Sequence, residues 1–241
     1  MFAKDARKSS LPRPDVELVE TDVFPKFFLY YFTMNFITPP IQSYLEAQTP
    51  RRDAILRDME AYAALNNFPI IGPLVGRMLF TYARAMNAKR ILEMGSGYGY
   101  SAVWFARAMG KKGRIFCTEG SPENARRAKN YFTRAGIDKQ ITFLTGNALT
   151  LIDDVPGEFD IIFNDVDKHQ YPAVFRKALP RLRTGGLLIT DNVLWSGHVL
   201  DQNPDADTKG ILRYTKLVTS SKQLHTTIIP LRDGVSVSVK L

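Results

Sequence analysis

The sequence predicts an α/β protein: a doubly wound, mostly parallel sheet of seven strands, helices on both faces, and only the last strand reversed. Three observations carry this. From residue 90 onward, short apolar runs alternate with stretches of helical period, the pattern of strand-helix-strand units. A glycine-rich turn stands where the first run passes into the first such helix. The last two runs are separated by only about three residues, Leu231-Arg232-Asp233. That is too few for a parallel crossover, so they pair as an antiparallel hairpin.

Taken in order, residues 1–50 read as an N-terminal arm. Pro12, Pro14, Pro25, Pro39, Pro40 and Pro50 break any long periodicity and leave room for one or two short helices. Its most apolar stretch, residues 23–37, carries Pro25 and Lys26 and is too short and interrupted to span a bilayer. A core or oligomer-interface segment is expected there, with a membrane-surface segment as the alternative. Residues 51–241 form the main domain. RRDAILRDMEAYAALN, 51–66, sets Ile55, Met59 and Tyr62 on one helical face, and a second helix runs from Pro73. The strand runs follow at 90–94, 114–119, 141–146, 159–164, 186–191, 225–230 and 234–240. SAVWFARAM, PENARRAKNYFTRAG, QYPAVFRKALPRL and ADTKGILRYTKLVTS supply the helices between them. Such a sheet is Rossmann-like, and its ligands bind outside the carboxyl ends of the strands.

Composition is ordinary for a soluble globular protein, with 45% hydrophobic and 23% charged residues. The single cysteine, Cys117, excludes an internal disulfide and cannot build a zinc site alone. The N-terminus has no apolar signal region. Both facts fit a cytoplasmic setting. The net charge of +8 is concentrated: residues 77–139 hold 13 Lys and Arg against 4 Asp and Glu. That excess is either a solvated helical face or an attraction for an anionic partner.

ILEMGSGYGYSA, 91–102, is a strand, a glycine turn and a helix start. Gly95, Gly97 and Gly99 let the backbone bend and a ligand approach. Glu119 ends the second strand, where an acid accepts hydrogen bonds from ribose hydroxyls. Glu93, just before the turn, sets a carboxylate where a dinucleotide would put its pyrophosphate, so a cationic, phosphate-free nucleoside suits the loop better. The E-M-G-S-G-Y-G-Y-S segment resembles the nucleoside-binding motif of class I S-adenosylmethionine-dependent methyltransferases. The resemblance implies cofactor contacts from Ile71, Glu93, Gly95, Gly97, Ser101, Glu119, Ala148 and Asp165, with Gly146-Asn147-Ala148 as the adenine-side turn.

A second site stands at two strand ends. FDIIFNDVDKHQY, 159–171, breaks from a buried run into Asp165, Asp167 and Lys168, and GLLITDNVLWSG ends its run in Asp191-Asn192. Two carboxylates and an amide oxygen converging on one point suit a hard divalent cation: Mg²⁺ foremost, with Mn²⁺ or Ca²⁺ as alternatives. Together these two motifs resemble the metal-dependent O-methyltransferases of the catechol and caffeoyl-coenzyme A type, over about residues 50–241. The resemblance implies Asp165, Asp191 and Asn192 as metal ligands, Lys168 and Asp165 as catalytic, and Asp167 and Trp195 on the substrate side. It also implies a homodimer and a small hydroxylated, catechol-like acceptor. Two other readings stay open. The basic segment allows an anionic acceptor, a coenzyme A ester or a hydroxyuridine in tRNA. The glycine loop alone is also compatible with a nucleotide-binding Rossmann protein or dehydrogenase.

Overall fold

The computed structural model describes residues 37–241; most of the arm, including nearly all of its aromatic run, lies outside them. One helix of the arm is described, α1 (Pro39–Ala47), which starts on a proline pair and buries none of its residues. Next come α2 (Ala54–Asn66) and α3 (Gly72–Ala85). Then β1 (Arg90–Met94), α4 (Tyr100–Met109), β2 (Arg114–Glu119), α5 (Pro122–Ala135) and β3 (Ile141–Thr145) alternate. They are followed by α6 (Ala148–Asp154), β4 (Phe159–Asn164), α7 (Tyr171–Ala178), β5 (Leu182–Thr190) and α8 (Ala206–Ser220). The hairpin of β6 (Leu224–Ile229) and β7 (Val235–Lys240) closes the chain. Among the described residues no helix is long and apolar enough to cross a membrane.

Local chemistry sets the helix ends. The Asp53 side chain accepts from the Ile55 and Leu56 amides at the start of α2, and Asp205 accepts from the Thr208 amide at the start of α8. Ser121 caps α5, Pro122 follows at its first turn, and left-handed Gly136 ends it.

The sheet order is β3-β2-β1-β4-β5-β7-β6. All neighbours are parallel except β5 with β7 and β7 with β6, so β7 alone is reversed and lies between the last two of its partners. Side chains alternate across the strands into two apolar layers. Ile91, Phe163 and Ile189 pack with α2 to α5 on one face. Leu92, Ile162 and Leu188 pack with α6 to α8 on the other. The strand order turns back between β1 and β4, and a crevice opens at the carboxyl ends there.

Three elements differ from expectation. α6 is a seven-residue helix between β3 and β4, too short to announce itself by period. β5 begins at Leu182, four residues early, because Leu182 pairs with Phe159 across an irregularity in β4. The expected 170–182 helix is also trimmed: α7 is flanked by tight turns at Lys168–Gln170 and Leu179–Arg181.

At the opposite end of the sheet, Asp160 ties three strands together. Its carboxylate accepts from the Lys89 and Arg90 amides at 2.7 and 2.8 Å and from Arg183 Nε at 2.6 Å. Asp160→Ala leaves these donors without their charged acceptor and should cost about 2–3 kcal/mol, read as a lowered urea midpoint at unchanged slope.

Candidate active site

The crevice is an open cleft of about 950 Å³, roomy enough for a nucleoside cofactor with a small second ligand. The loop after β1 forms one wall. Gly95, Gly97 and Gly99 take φ of 84°, 51° and 88°, a region that strains any residue with a Cβ. A Cβ on Gly95 would stand 2.4 Å from the Asp165 carbonyl oxygen, and one on Gly99 would stand 2.3 Å from Phe132 Cζ. The turn is thus pressed between the tip of β4 and helix α5. The Gly97 amide donates to Glu119 Oε2 at 2.9 Å. Ser121 N and Asn124 Nδ2 donate to Oε1 at 2.8 and 3.3 Å. Glu119 therefore reaches the cleft with both oxygens already oriented.

Glu93 is placed differently. It lies in register with Cys117, is fully buried and does not line the cleft. It faces α4, where Ser101 Oγ donates to it, and Cys117 Sγ lies 3.5 Å from its other oxygen. Burial raises its pKa to about 7, opposed by the hydrogen bonds from Ser101 and Cys117. Glu93 therefore stands behind the loop and does not face the ligand directly. Any contact runs through Ser101, which does line the cleft.

β4 and β5 end side by side, with Asn164 opposite Thr190. The next residues, Asp165 and Asp191, leave the sheet at neighbouring points, their amides donating to Met94 O at 2.9 Å and Asn164 O at 3.2 Å. Asp191 is 5% exposed, and its Oδ1 is buried with no hydrogen-bond partner among the described residues. Burial, then the charge of Asp165, raises the Asp191 pKa to about 7, while Arg232 and Lys168 pull it down. Burial also raises Asp165, against the ammonium of Lys168 at 3.0 Å. Asn192 follows in the left-handed conformation, φ 58°, which Asn tolerates. Its amide nitrogen donates to Asp233 Oδ2 at 3.3 Å, which leaves the carbonyl oxygen free to serve as a third oxygen ligand to a cation. Among the described residues no group of three or more His, Cys, Asp or Glu gathers as a metal site. A cation here depends on the Asn192 oxygen and on water to complete the two carboxylates. Such an all-oxygen set with an orphaned carboxylate oxygen fits a hard divalent ion.

Lys168 stands in the turn before α7, its Nζ 5.5 Å from the Trp195 ring centre and 5.7 Å from that of Tyr171. Ile71, Gly95, Gly97, Asp167 and Ala148 line the cleft with the acids. Trp195 does not: it is half-buried against the α6–α8 layer and meets the site through Lys168. The Asn147 side chain is committed to capping α6, accepting from the Leu149 amide at 2.8 Å. None of the basic residues of 77–139 lines the cleft. Its charged lining is Glu60, Glu119, Asp165, Asp167, Asp191 and Asp233 against Lys168 and Arg232. The last of each set, Arg232 and Asp233, had read only as hairpin linker. Arg232 Nη1 in fact donates to Ile70 O at 2.6 Å across the cleft wall.

Glu93 gives a test of this arrangement. An unfolded glutamate titrates near ~4.3, the folded one near about 7. Between those values the folded chain holds the extra proton, so Glu93 makes stability fall as pH rises from about 4 to about 7. Glu93→Gln should remove that share of the slope in ligand-free protein, measured by urea unfolding across the pH series.

Residues 53–241 match the family model described as O-methyltransferase. A catechol O-methyltransferase of Niastella koreensis is 34% identical over 179 residues, 70% of this chain and 81% of that protein. A catechol O-methyltransferase of Mycobacterium tuberculosis is 30% identical over 194 residues, 79% and 88% of the two chains. An O-methyltransferase from Bacillus cereus, solved in complex with SAH, superposes with a TM-score of 0.78 at 29% identity, covering 84% of this chain and 97% of the other. With its seven-stranded sheet, glycine loop and acid-lined cleft, the chain belongs to the O-methyltransferase family.

Proposed function

We propose that this enzyme transfers the methyl group of S-adenosylmethionine to a hydroxyl of a catechol-like or phenolic small molecule, assisted by a divalent cation. Mg²⁺ is the ion best suited to Asp165, Asp191 and Asn192. The observation that carries the reading is the pair of carboxylates at adjacent strand ends, Asp165 half-buried and Asp191 buried, with one oxygen of Asp191 having no hydrogen-bond partner among the described residues.

When bound, S-adenosylmethionine supplies a methyl group on a positively charged sulfur, transferred by in-line displacement. The chain's part is then geometry and charge. Glu119 is oriented by Gly97, Ser121 and Asn124 to accept from a ribose diol. The acidic lining favours a ligand with a sulfonium and an ammonium over a polyphosphate. When bound, a divalent cation makes an acceptor hydroxyl acidic enough to react near neutral pH. Lys168, held by Asp165 at 3.0 Å and backed by Trp195, is the side chain positioned to receive the proton; its charged form would be disfavoured beside a bound cation, leaving the neutral amine that the role needs. Asp167, exposed at the rim, borders the acceptor.

The catechol class of acceptor is supported by what the N. koreensis and M. tuberculosis relatives are called. The polyanionic acceptors have less in their favour, because the basic residues of 77–139 lie away from the cleft. A homodimer in the cytoplasm belongs to the same reading, on resemblance.

Asp165→Ala and Asp191→Ala should each lower turnover by about 100-fold or more while leaving S-adenosylmethionine binding largely intact. The assay is methyl transfer to a catechol panel, a caffeoyl ester and a hydroxyuridine tRNA, with and without Mg²⁺, beside calorimetry of the cofactor. Wild-type activity of either variant in chelator-treated buffer contradicts the metal role. Glu119→Gln should instead weaken cofactor binding by about tenfold, since one charged hydrogen bond is worth ~1.5 kcal/mol, with the metal requirement unchanged.

A further inference from the structure

We propose that Asp233 is a positioning residue joining Asn192 to the Trp195–Ser196 turn, so that cation binding and the Trp195 ring that backs Lys168 respond to each other through one carboxylate. The inference rests on the metal reading above and adds a residue to it.

Asp233 stands in the loop between β6 and β7. Its Oδ2 accepts from Asn192 Nδ2 at 3.3 Å. Its Oδ1 accepts from the Ser196 amide and, at 3.4 Å, from Ser196 Oγ. The first contact decides which way the Asn192 amide faces. An ionised carboxylate only accepts hydrogen bonds, so the NH₂ end must turn toward Asp233. Flipping the amide would set oxygen against oxygen. The carbonyl end is therefore presented away from Asp233, as a metal donor must be.

The second contact holds an unusual turn. Trp195, Ser196 and Gly197 have φ of 47°, 50° and 89° in succession. That costs a Trp and a Ser conformational energy and persists only where surrounding contacts enforce it. The Asp233 carboxylate supplies one of those contacts at Ser196. The backbone supplies more: the Val193 amide donates to Gly234 O and the Leu194 amide to Asp233 O, each at 3.0 Å. A Cβ on Gly234, at φ 81°, would stand 2.4 Å from Leu194 Cγ, so the two loops pack without space between them. Trp195 in turn lies over Lys168. A displaced Asp233 would thus loosen the Asn192 oxygen and the Trp195 ring behind Lys168 together.

The test uses Asp233→Asn, which keeps size and one acceptor oxygen, and Asp233→Ala. Each is made in the wild-type chain and with Trp104→Phe, which leaves Trp195 as the only tryptophan. Mn²⁺ alone is titrated by calorimetry, S-adenosylmethionine affinity and melting temperature are measured as controls, and Trp195 emission is recorded. The expected result is Mn²⁺ affinity lower by about tenfold or more, red-shifted Trp195 emission, and cofactor affinity within about twofold of wild type. Folded variants with unchanged Mn²⁺ affinity overturn the role of Asp233 and leave the metal reading standing. Lost Mn²⁺ affinity with unchanged Trp195 emission overturns the coupling. A wild-type chain that binds no Mn²⁺ overturns the metal reading and this inference together.

Discussion

Two carboxylates at the ends of neighbouring parallel strands repel each other, and the backbone gives neither room to withdraw. Asn164 and Thr190 are paired in register, so Asp165 and Asp191 are fixed where the ladder ends. Below them lie Phe163 and Ile189, both fully buried, so a shift in either strand would have to be paid in core packing. The sheet thus imposes a local concentration of negative charge that the side chains by themselves would not choose. Much else in the cleft is arranged around that constraint.

The neighbours divide the work of compensating it. Lys168 pairs with Asp165 and is itself shielded by two aromatic rings. Arg232 lowers the pKa of both carboxylates from the hairpin loop while holding the backbone at Ile70. Neither reaches Asp191 Oδ1, which is the atom a bound cation would satisfy. The glycine loop is coupled to the same place. Gly95 packs against the Asp165 carbonyl so closely that no side chain fits between them. The glycine loop and the paired acids therefore share one wall of the cleft, which is the geometry the proposed methyl transfer requires.

Most of the fold was legible because its signals are local. Apolar runs such as Ile161-Ile162-Phe163, ended by polar residues, mark buried strands, and Leu231-Arg232-Asp233 is too short for anything but a hairpin. The seven-residue α6 was not legible, since two turns of helix leave no period to detect. In the site, residues that line the cleft from the end of their own strand were visible: Glu119, Asp165, Asp191. Residues whose placement depends on distant partners were harder to place. Glu93 reads as a ligand contact, yet strand alternation turns it toward Ser101 and Cys117. Asp233 reads as a turn residue, because its partners lie 37 and 41 positions away. The basic segment shows the same limit: its charge is plain in the sequence, but that it lies off the cleft is a fact of topology.

The central claim is that the converging acids hold a divalent cation beside the bound cofactor. Its most direct measurement is anomalous diffraction from crystals grown with Mn²⁺ and S-adenosylhomocysteine. The account predicts one strong Mn²⁺ peak within about 2.0–2.4 Å of oxygens from Asp165, Asp191 and Asn192, with water completing the shell. A cofactor-occupied cleft with no peak at those three residues, or with the ion held elsewhere, contradicts it.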